Sequence, residues 1–194
     1  MRIGVLALQG DFKEHIVVLR RLDVETVEVR LPGHLEELDG LIIPGGESTT
    51  IGKLAAAYHL MGPLVEFGAQ KAIWGTCAGA IFLSKDVHRQ QPLLSLMDIT
   101  VGRNAFGRQV ASFEMDLDVP ALREVAPDGA PYHAVFIRAP LIESVRQPAQ
   151  VLAQLPDGRI VAARQGRLLA TSFHPELTQD DRFHRYFVTL CNPL

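Results

Sequence analysis

Gly75-Thr76-Cys77-Ala78-Gly79 lies between two apolar runs, Ala72-Ile73-Trp74 before it and Ala80-Ile81-Phe82-Leu83 after it. A G-x-C-x-G between a predicted strand and a predicted helix has the spacing of a nucleophile elbow, with cysteine in place of serine. The flanking glycines let strand and helix approach closely, and the helix N-terminus favours the thiolate of Cys77. The alternative is a buried cysteine with a structural role.

Length and composition indicate one ordinary globular domain spanning residues 1–194. Hydrophobic residues make up 47% and charged residues 21% of the 194 positions, enough for a single sizeable core. The net charge of −3 gives no reason to expect nucleic acid or a membrane surface as partner. Two cysteines, Cys77 and Cys191, form neither a disulfide framework nor a metal cluster. The apolar N-terminus breaks at Gln9-Gly10-Asp11, too early for a signal peptide or a span, so we expect a cytoplasmic protein.

The first half of the chain alternates predicted strands and helices. The strands are residues 3–8, 26–29, 41–43 and 72–74. Asp11 with Glu14 resembles a capping box for the first helix, and Ser48 or Thr49 could cap the second. Near-continuous apolar strands that alternate with helices predict an α/β fold, a three-layer sandwich with a mainly parallel central sheet covered on both faces.

The second half predicts additional antiparallel strands. Short strand patterns cover residues 99–101, 112–117, 132–137, 151–155, 160–163 and 168–173. Asp157-Gly158 and Gln165-Gly166 are hairpin-type turns. A last helix is predicted over residues 180–190, and no repeat or linker divides the chain.

A cysteine nucleophile needs a base and a group that orients the base. His174 follows an apolar strand in Phe173-His174-Pro175-Glu176. If this segment is extended, His174 and Glu176 point the same way and can hydrogen-bond. Loops that follow parallel strands gather at one edge of the sheet, so Cys77 and His174 are expected to meet there. The alternative for His174 is a surface histidine before a helix.

A third loop, Pro44-Gly45-Gly46-Glu47-Ser48-Thr49-Thr50, also follows a predicted strand. Paired glycines beside a helix N-terminus present N–H groups suited to an anion or an oxyanion. The spacing is not that of a P-loop, despite Gly52-Lys53, which argues against nucleotide binding. A plain strand-to-helix turn is the alternative.

These three motifs, in this order, resemble those of the class I, triad-type glutamine amidotransferases. More narrowly, the chain resembles the family of glutaminase subunits of pyridoxal 5′-phosphate synthase (PdxT/SNO). The segments that carry this narrower resemblance include Gly4–Asp11 with Glu14-His15, Arg103-Asn104-Ala105-Phe106-Gly107-Arg108-Gln109, and residues 132–140. The resemblance covers essentially the whole chain, and residues 86–96 match it least well.

The resemblance implies a role for each matching position. Cys77 is the nucleophile, His174 the base and Glu176 its orienting partner. L-glutamine would be held by Gly46, Glu47, Ser48, Arg103, Ile137 and Arg138. Ala78 N–H is the expected first donor of the oxyanion hole, with Gly45 or Gly46 as the second. No metal and no bound cofactor are expected.

The same resemblance implies the reaction and the partner. Glutamine would be hydrolysed to glutamate and ammonia, and the ammonia passed to a synthase subunit that makes pyridoxal 5′-phosphate from a pentose phosphate and a triose phosphate. The expected assembly is a hetero-oligomer with glutaminase chains on a synthase ring, in which docking orders the Gly45-Gly46 loop. His15, near the same edge, is a candidate contact for a partner. Cys191 is expected to be structural.

Two alternatives remain open at this point. One is a cysteine hydrolase of the α/β-hydrolase type acting on esters or lactones, although such enzymes place the acid well before the histidine. The other is a degenerate amidotransferase domain with a regulatory role. Cys77, His174 and Glu176 are all present, which argues against the second alternative.

Overall fold

The computed structural model describes residues 1–103 and 112–192, and over these ranges the chain forms twelve strands and five α-helices. The strands are β1 (Arg2–Leu6), β2 (Glu25–Val29), β3 (Gly40–Ile43), β4 (Ala72–Thr76), β5 (Ser84–Asp86), β6 (Met97–Gly102), β7 (Ser112–Leu117), β8 (Tyr132–Ile137), β9 (Leu141–Val145), β10 (Gln150–Gln154), β11 (Ile160–Gln165) and β12 (Leu168–Thr171). The helices are α1 (Phe12–Arg21), α2 (Ser48–Ala57), α3 (Met61–Gln70), α4 (Ala78–Leu83) and α5 (Arg182–Cys191). The motif residues Asn104 to Gln109 lie outside the described ranges. None of the helices in these ranges is both long and apolar enough to cross a membrane.

One large sheet runs in the order β2-β1-β3-β4-β12-β11-β9-β6-β5, with β10 paired to β11 beside this path. The pairs from β2 through β12 are parallel, and those that β11 makes with β12, β10 and β9 are antiparallel. β7 and β8 form a separate antiparallel pair. The predicted parallel sheet with additional antiparallel strands in the second half is therefore confirmed.

Helices cover both faces of the sheet because its strands are apolar on both faces. On β3, Ile42 packs into one buried cluster with residues of α1 and α5, whereas Leu41 and Ile43 pack into the other with residues of α2, α3 and α4. Successive strand residues point to opposite faces, so one strand serves two cores. This arrangement gives the three predicted layers.

The sequence prediction missed α3, β5 and β9 and misplaced several ends. The segment of α3 contains Gly62 and Pro63, which weaken a helical pattern, but a proline in the first turn of a helix is tolerated. β1 ends at Leu6 and β12 at Thr171, each two residues before its predicted end. Both strands stop early because their last predicted residues belong to the loops that build the site.

The predicted cap of the first helix has the right position but not the predicted hydrogen bond, and the predicted cap of the second helix is wrong. Asp11 occupies the N-cap of α1, but its side chain makes no capping hydrogen bond. Its carboxylate instead lies 3.9 Å from Nδ1 of His174. The N-cap of α2 is Glu47, whose Oε1 accepts from the N–H of Thr49 at 3.1 Å. Both acidic side chains are thus directed toward the catalytic edge of the sheet.

The elbow between β4 and α4 has the tight turn that its glycines predict. Cys77 has φ +49° and ψ −106°, an unfavourable backbone conformation for a residue with a side chain. A Cβ on Gly79 would overlap the backbone carbonyl of Ile43 in β3, and one on Gly75 would overlap the backbone of Gly79. The two glycines are therefore required by the close approach of β4, α4 and β3.

Gly79→Ala is expected to destabilise the protein by about 2–3 kcal/mol, because the added methyl must displace backbone and not a flexible side chain. The matched control is Gly62→Ala in α3, where nothing lies within 4 Å of the added Cβ. It should be neutral or stabilising by about 0.5–1 kcal/mol. Urea unfolding of both variants measures the difference, and equal midpoints would contradict this account of the elbow.

Candidate active site

Cys77 and His174 lie next to each other because β4 and β12 are neighbouring parallel strands. Thr76, the last residue of β4, is in register with Thr171, the last residue of β12. The N–H of Cys77 donates to the carbonyl of Thr171 at 2.8 Å, which continues the strand pairing into the elbow. The predicted meeting of the two side chains at one edge of the sheet is observed.

His174 pairs with Glu176 on one side and with Cys77 on the other. Nδ1 of His174 donates to Oε1 of Glu176 at 2.7 Å, and the imidazole also hydrogen-bonds the Cys77 side chain. The backbone is not extended here as predicted, because Pro175–Leu177 form a 3-10 turn. The turn brings the two side chains together, and all three residues are buried.

The charges of the three residues depend on one another. Burial lowers the pKa of His174, but hydrogen bonds and charge interactions with Cys77 and Glu176 outweigh it and raise the pKa to about 10. Burial also raises the pKa of the Glu176 carboxyl, and His174 opposes that rise. A protonated imidazole held between a cysteine side chain and a carboxylate is the arrangement found around activated cysteine nucleophiles.

Cys77 opens into a cavity of about 400 Å³, room for a free amino acid and water. Seven of the residues proposed from the sequence line it: Gly46, Glu47, Ser48, Cys77, Ala78, Arg103 and Arg138. Gln9, Ile81 and Pro140 also line it, and the sequence analysis did not assign them a site role. Gln9 could have been found from its position directly after the first strand.

The two glycines of the third loop differ in position. Gly45 packs against the His174 ring, since a Cβ there would lie 2.7 Å from Cε1, and its carbonyl accepts from the N–H of Asp11. Gly46 has φ +146° and lines the cavity. Oε1 of Gln9 accepts from the N–H of Glu47 at 2.7 Å and so ties the loop to the end of β1. The geometry favours Gly46 over Gly45 as an oxyanion donor.

Glu47 connects the glycine loop to Arg103. Its Oε1 and Oε2 both lie 2.9 Å from Nη2 of Arg103, while Oε1 also accepts from Thr49. The hydrogen bonds from Thr49, and then Arg103, lower the pKa of Glu47. The arginine is therefore held in place before any ligand binds. Ser48 is buried at the start of α2, and its Oγ accepts from Nε2 of Gln91, a residue of the 86–96 segment.

Ile137 is the last residue of β8, and Arg138 follows it. Arg138 lines the cavity, is exposed and has φ +45°. No residue of ranges 1–103 and 112–192 forms a hydrogen bond or ion pair with its guanidinium. Ile137 ends β8 with its side chain 40% exposed and does not line the cavity.

His15 is not a surface contact for a partner, contrary to the sequence interpretation. It is fully buried on α1 beneath the triad, with Nε2 3.4 Å from Oε2 of Glu176. The amphipathic pattern of α1 turns this position toward the sheet. Cys191 is buried on α5, as expected of a structural cysteine.

Asp11, His174 and Glu176 offer ligand atoms within 4.8 Å of one another, a grouping that could hold a metal ion. Nδ1 of His174, however, carries the proton that it donates to Glu176. That nitrogen has no lone pair to offer a metal. We therefore keep the prediction that the site works without a metal ion.

Comparisons with known proteins agree with this geometry. The sequence model of the SNO glutamine amidotransferase family matches residues 5–193. A relative from Herpetosiphon aurantiacus, named pyridoxal 5′-phosphate synthase subunit PdxT, is 57% identical over 98% of this chain and 100% of its own length. A protein of the same name from Dehalococcoides mccartyi is 57% identical over 98% of this chain and 97% of its own length.

Solved structures show the same similarity. A crystal structure described as a glutamine amidotransferase has a TM-score of 0.90 and 50% identity, covering 97% of this chain and 98% of its own. PurLQS from Thermotoga maritima has a TM-score of 0.71 at 14% identity over 98% of each chain, which shows a shared fold.

The Cys77–His174 contact predicts an unusual titration of His174. Because its pKa is raised to about 10, the imidazolium should persist through neutral pH and lose its proton only as the pH rises through about 10. Cys77→Ala removes a cause of that rise, so the midpoint should move toward neutral pH. Proton NMR of the His174 ring measures both midpoints, and identical values in the two proteins would contradict the pairing.

Proposed function

Because the chain belongs to the SNO glutamine amidotransferase family, we propose that it is the glutaminase subunit of a pyridoxal 5′-phosphate synthase, with residues 1–194 as one glutaminase domain. The observation that carries the proposal is the Cys77-His174-Glu176 arrangement at one end of a cavity that also contains two arginines. The names of the PdxT relatives support the partner enzyme. The free thiols fit a reducing, cytoplasmic location.

The proposed reaction hydrolyses L-glutamine in two steps. The Cys77 thiolate attacks the side-chain amide carbon, and the His174 imidazolium gives its proton to the departing ammonia, leaving a glutamyl thioester. His174 then takes a proton from water, which attacks the thioester and releases glutamate. Glu176 holds the imidazole orientation through both steps by its bond to Nδ1. No step requires a metal or a bound cofactor.

The oxyanion of each tetrahedral intermediate needs N–H donors near Cys77. Ala78 follows the nucleophile at the start of α4, and Gly46 lines the same cavity. These two N–H groups are our proposed donors. Gly45 packs against His174 and would act by fixing the loop that carries Gly46.

The charged residues of the cavity match the two ends of a free amino acid. Arg138 has no partner among the described residues and can fork onto the α-carboxylate. Arg103, held by Glu47, adds a second positive charge, and the Glu47 carboxylate suits the α-ammonium. The Ile137-Arg138 backbone and Ser48 would complete the binding site. An ester or lactone substrate would leave these charged groups unused.

We propose that the ammonia passes to a synthase subunit and that docking on a synthase ring orders the glycine loop. Gly46 has φ +146°, and because glycine adopts other φ values at little cost, the peptide that carries its N–H can rotate when a partner docks. This part of the proposal would be contradicted if the lone chain hydrolysed glutamine as fast as the complex.

Cys77→Ala should reduce glutamine-dependent ammonia release, measured in the presence of the synthase subunit of a pyridoxal 5′-phosphate synthase, by roughly 10³-fold or more. Cys191→Ala is the matched control: this thiol lies in the core on α5 and should leave the rate nearly unchanged. Hydrolysis of esters without hydrolysis of glutamine would favour the hydrolase alternative. No turnover by the wild-type complex would favour the regulatory one.

Arg138→Gln should raise KM for glutamine about 10- to 100-fold with little change in kcat, because a charge-assisted bond to the substrate carboxylate contributes about 1.5–3 kcal/mol. The control is Arg146→Gln, an exposed arginine outside the cavity, which should leave both parameters unchanged. Steady-state kinetics separates the two, and a fall in kcat at constant KM would assign Arg138 another role.

A further inference from the structure

Two buried histidines and one carboxylate oxygen have no part in the proposed reaction. His15 on α1 and His184 on α5 are both fully buried. Oε2 of Glu176 is also buried and forms no hydrogen bond within the described part of the chain. Burying a carboxylate oxygen without a hydrogen-bond donor costs free energy. The groups that face Oε2 of Glu176 therefore show how that cost is reduced.

The three groups lie in a row behind the triad. Nε2 of His15 is 3.4 Å from Oε2 of Glu176 and 3.3 Å from Oγ1 of Thr76. On its other side, Nδ1 of His15 is 3.0 Å from Nε2 of His184. The edge of the Trp74 ring system closes the space around both imidazoles. The row therefore runs from Cys77 through His174, Glu176 and His15 to His184.

His15 and His184, unlike His174, are neutral at neutral pH. Burial, followed by the neighbouring His184 and His174, lowers the pKa of His15 well below its usual value. Burial, followed by Arg21, lowers the pKa of His184 to about 3. A neutral imidazole carries one N–H proton. The hydrogen bond between the two rings therefore has one proton, carried either by Nδ1 of His15 or by Nε2 of His184.

The surroundings select one arrangement. If His15 kept its proton on Nδ1, its bare Nε2 would face the Glu176 carboxylate, and His184 would hold a proton on Nδ1, which has no partner among the described residues. If His184 donates from Nε2, His15 carries its proton on Nε2, which lies 3.3 Å from Oγ1 of Thr76 and 3.4 Å from Oε2 of Glu176. The second arrangement avoids lone-pair repulsion and a buried, unused donor.

We propose that His15 is a positioning residue for the triad: with its tautomer fixed by His184, it presents Nε2–H to Oε2 of Glu176 and keeps that carboxylate ionised and directed at His174. The consequence for catalysis rests on the proposed glutaminase function, whereas the tautomers do not. His15 acts through Glu176 and contacts neither Cys77 nor the cavity.

The groups that face Glu176 from the surrounding elements define the expected pH effect. They are His174 on the same turn, His15 on α1, Asp11 before α1 and Tyr132 on β8. Asp11 and burial both favour the protonated carboxyl, while His174 opposes it. Without the His15 donor, the pKa of the Glu176 carboxyl should rise. On the acid side of the pH profile of activity the carboxyl is then protonated, and His174 loses its anionic partner.

The tautomers can be tested in the wild-type protein. Nitrogen-15 NMR of histidine-labelled protein should show His184 protonated at Nε2 and bare at Nδ1, and His15 protonated at Nε2. A proton on Nδ1 of either residue would overturn the proposal. This measurement needs neither substrate nor synthase, so it decides the arrangement even if glutamine is not the substrate.

The positioning role is tested by the pH profile of kcat/KM for glutamine in the complex. His15→Leu should move the acid limb upward by about one pH unit, a tenfold loss of activity on that side. His15→Gln places an amide nitrogen near the position of Nε2 and should restore most of the shift. Leu19→Ala, a core change on the same helix, controls for lost stability and should leave the limb in place.

The outcomes separate this proposal from the proposed function. An inactive wild-type complex would count against the glutaminase function. The positioning role would then be tested by the pH profile of Cys77 alkylation by iodoacetamide, measured in a Cys191→Ala background. His15→Leu should show the same shift in that profile. An unshifted limb in folded His15→Leu, by either assay, would overturn the positioning role. So would an equal shift in Leu19→Ala.

Discussion

Cys77 and His174 meet because β4 and β12 pair as parallel strands in one register, with Thr76 opposite Thr171. A shift of β12 by one residue relative to β4 would turn the side chains of β12 to the opposite face and separate His174 from Cys77. Two further contacts hold this register. The Cys77 N–H extends the pairing to the Thr171 carbonyl, and the indole N–H of Trp74 donates to Oγ1 of Thr171 at 3.1 Å. The rest of the sheet supports this pair of strands, with parallel neighbours on one side and antiparallel neighbours on the other.

A second constraint is the exclusion of water from the region beneath the edge of the sheet that carries the site. Glu176 and His15 are buried with their polar atoms directed at one another, and the cost of desolvating them is offset only when each has a partner. Such a network fixes side-chain orientation more than it stabilises the fold. Glu47 has a similar role at the cavity wall, where its carboxylate both caps α2 and holds Arg103. Both carboxylates keep the site in one geometry before substrate arrives.

The sequence predicted the fold well where local and long-range signals agree. Continuous apolar strands such as β3, and the glycines around Cys77, leave few alternatives. It failed where tertiary contacts decide the outcome. Asp11 has the spacing of a capping residue, but its carboxylate turns to His174. The position of His15 after the first strand suggests a partner contact, but α1 packs it against Glu176. No rule of periodicity reveals which polar residue of an amphipathic helix a distant carboxylate will contact.

The wide separation of β4 and β12 along the chain has a consequence for the timing of biosynthesis. Domains fold as chains emerge from the ribosome, N-terminal segments first. Cys77 emerges with β4, but its proposed base and the strand that fixes its register belong to residues 168–176, made after all the antiparallel strands. A growing or truncated chain therefore has Cys77 without the partner that the proposed reaction requires. The proposed triad is assembled only when the last strand inserts beside β4, so on the proposed mechanism unfinished copies of the protein do not hydrolyse glutamine.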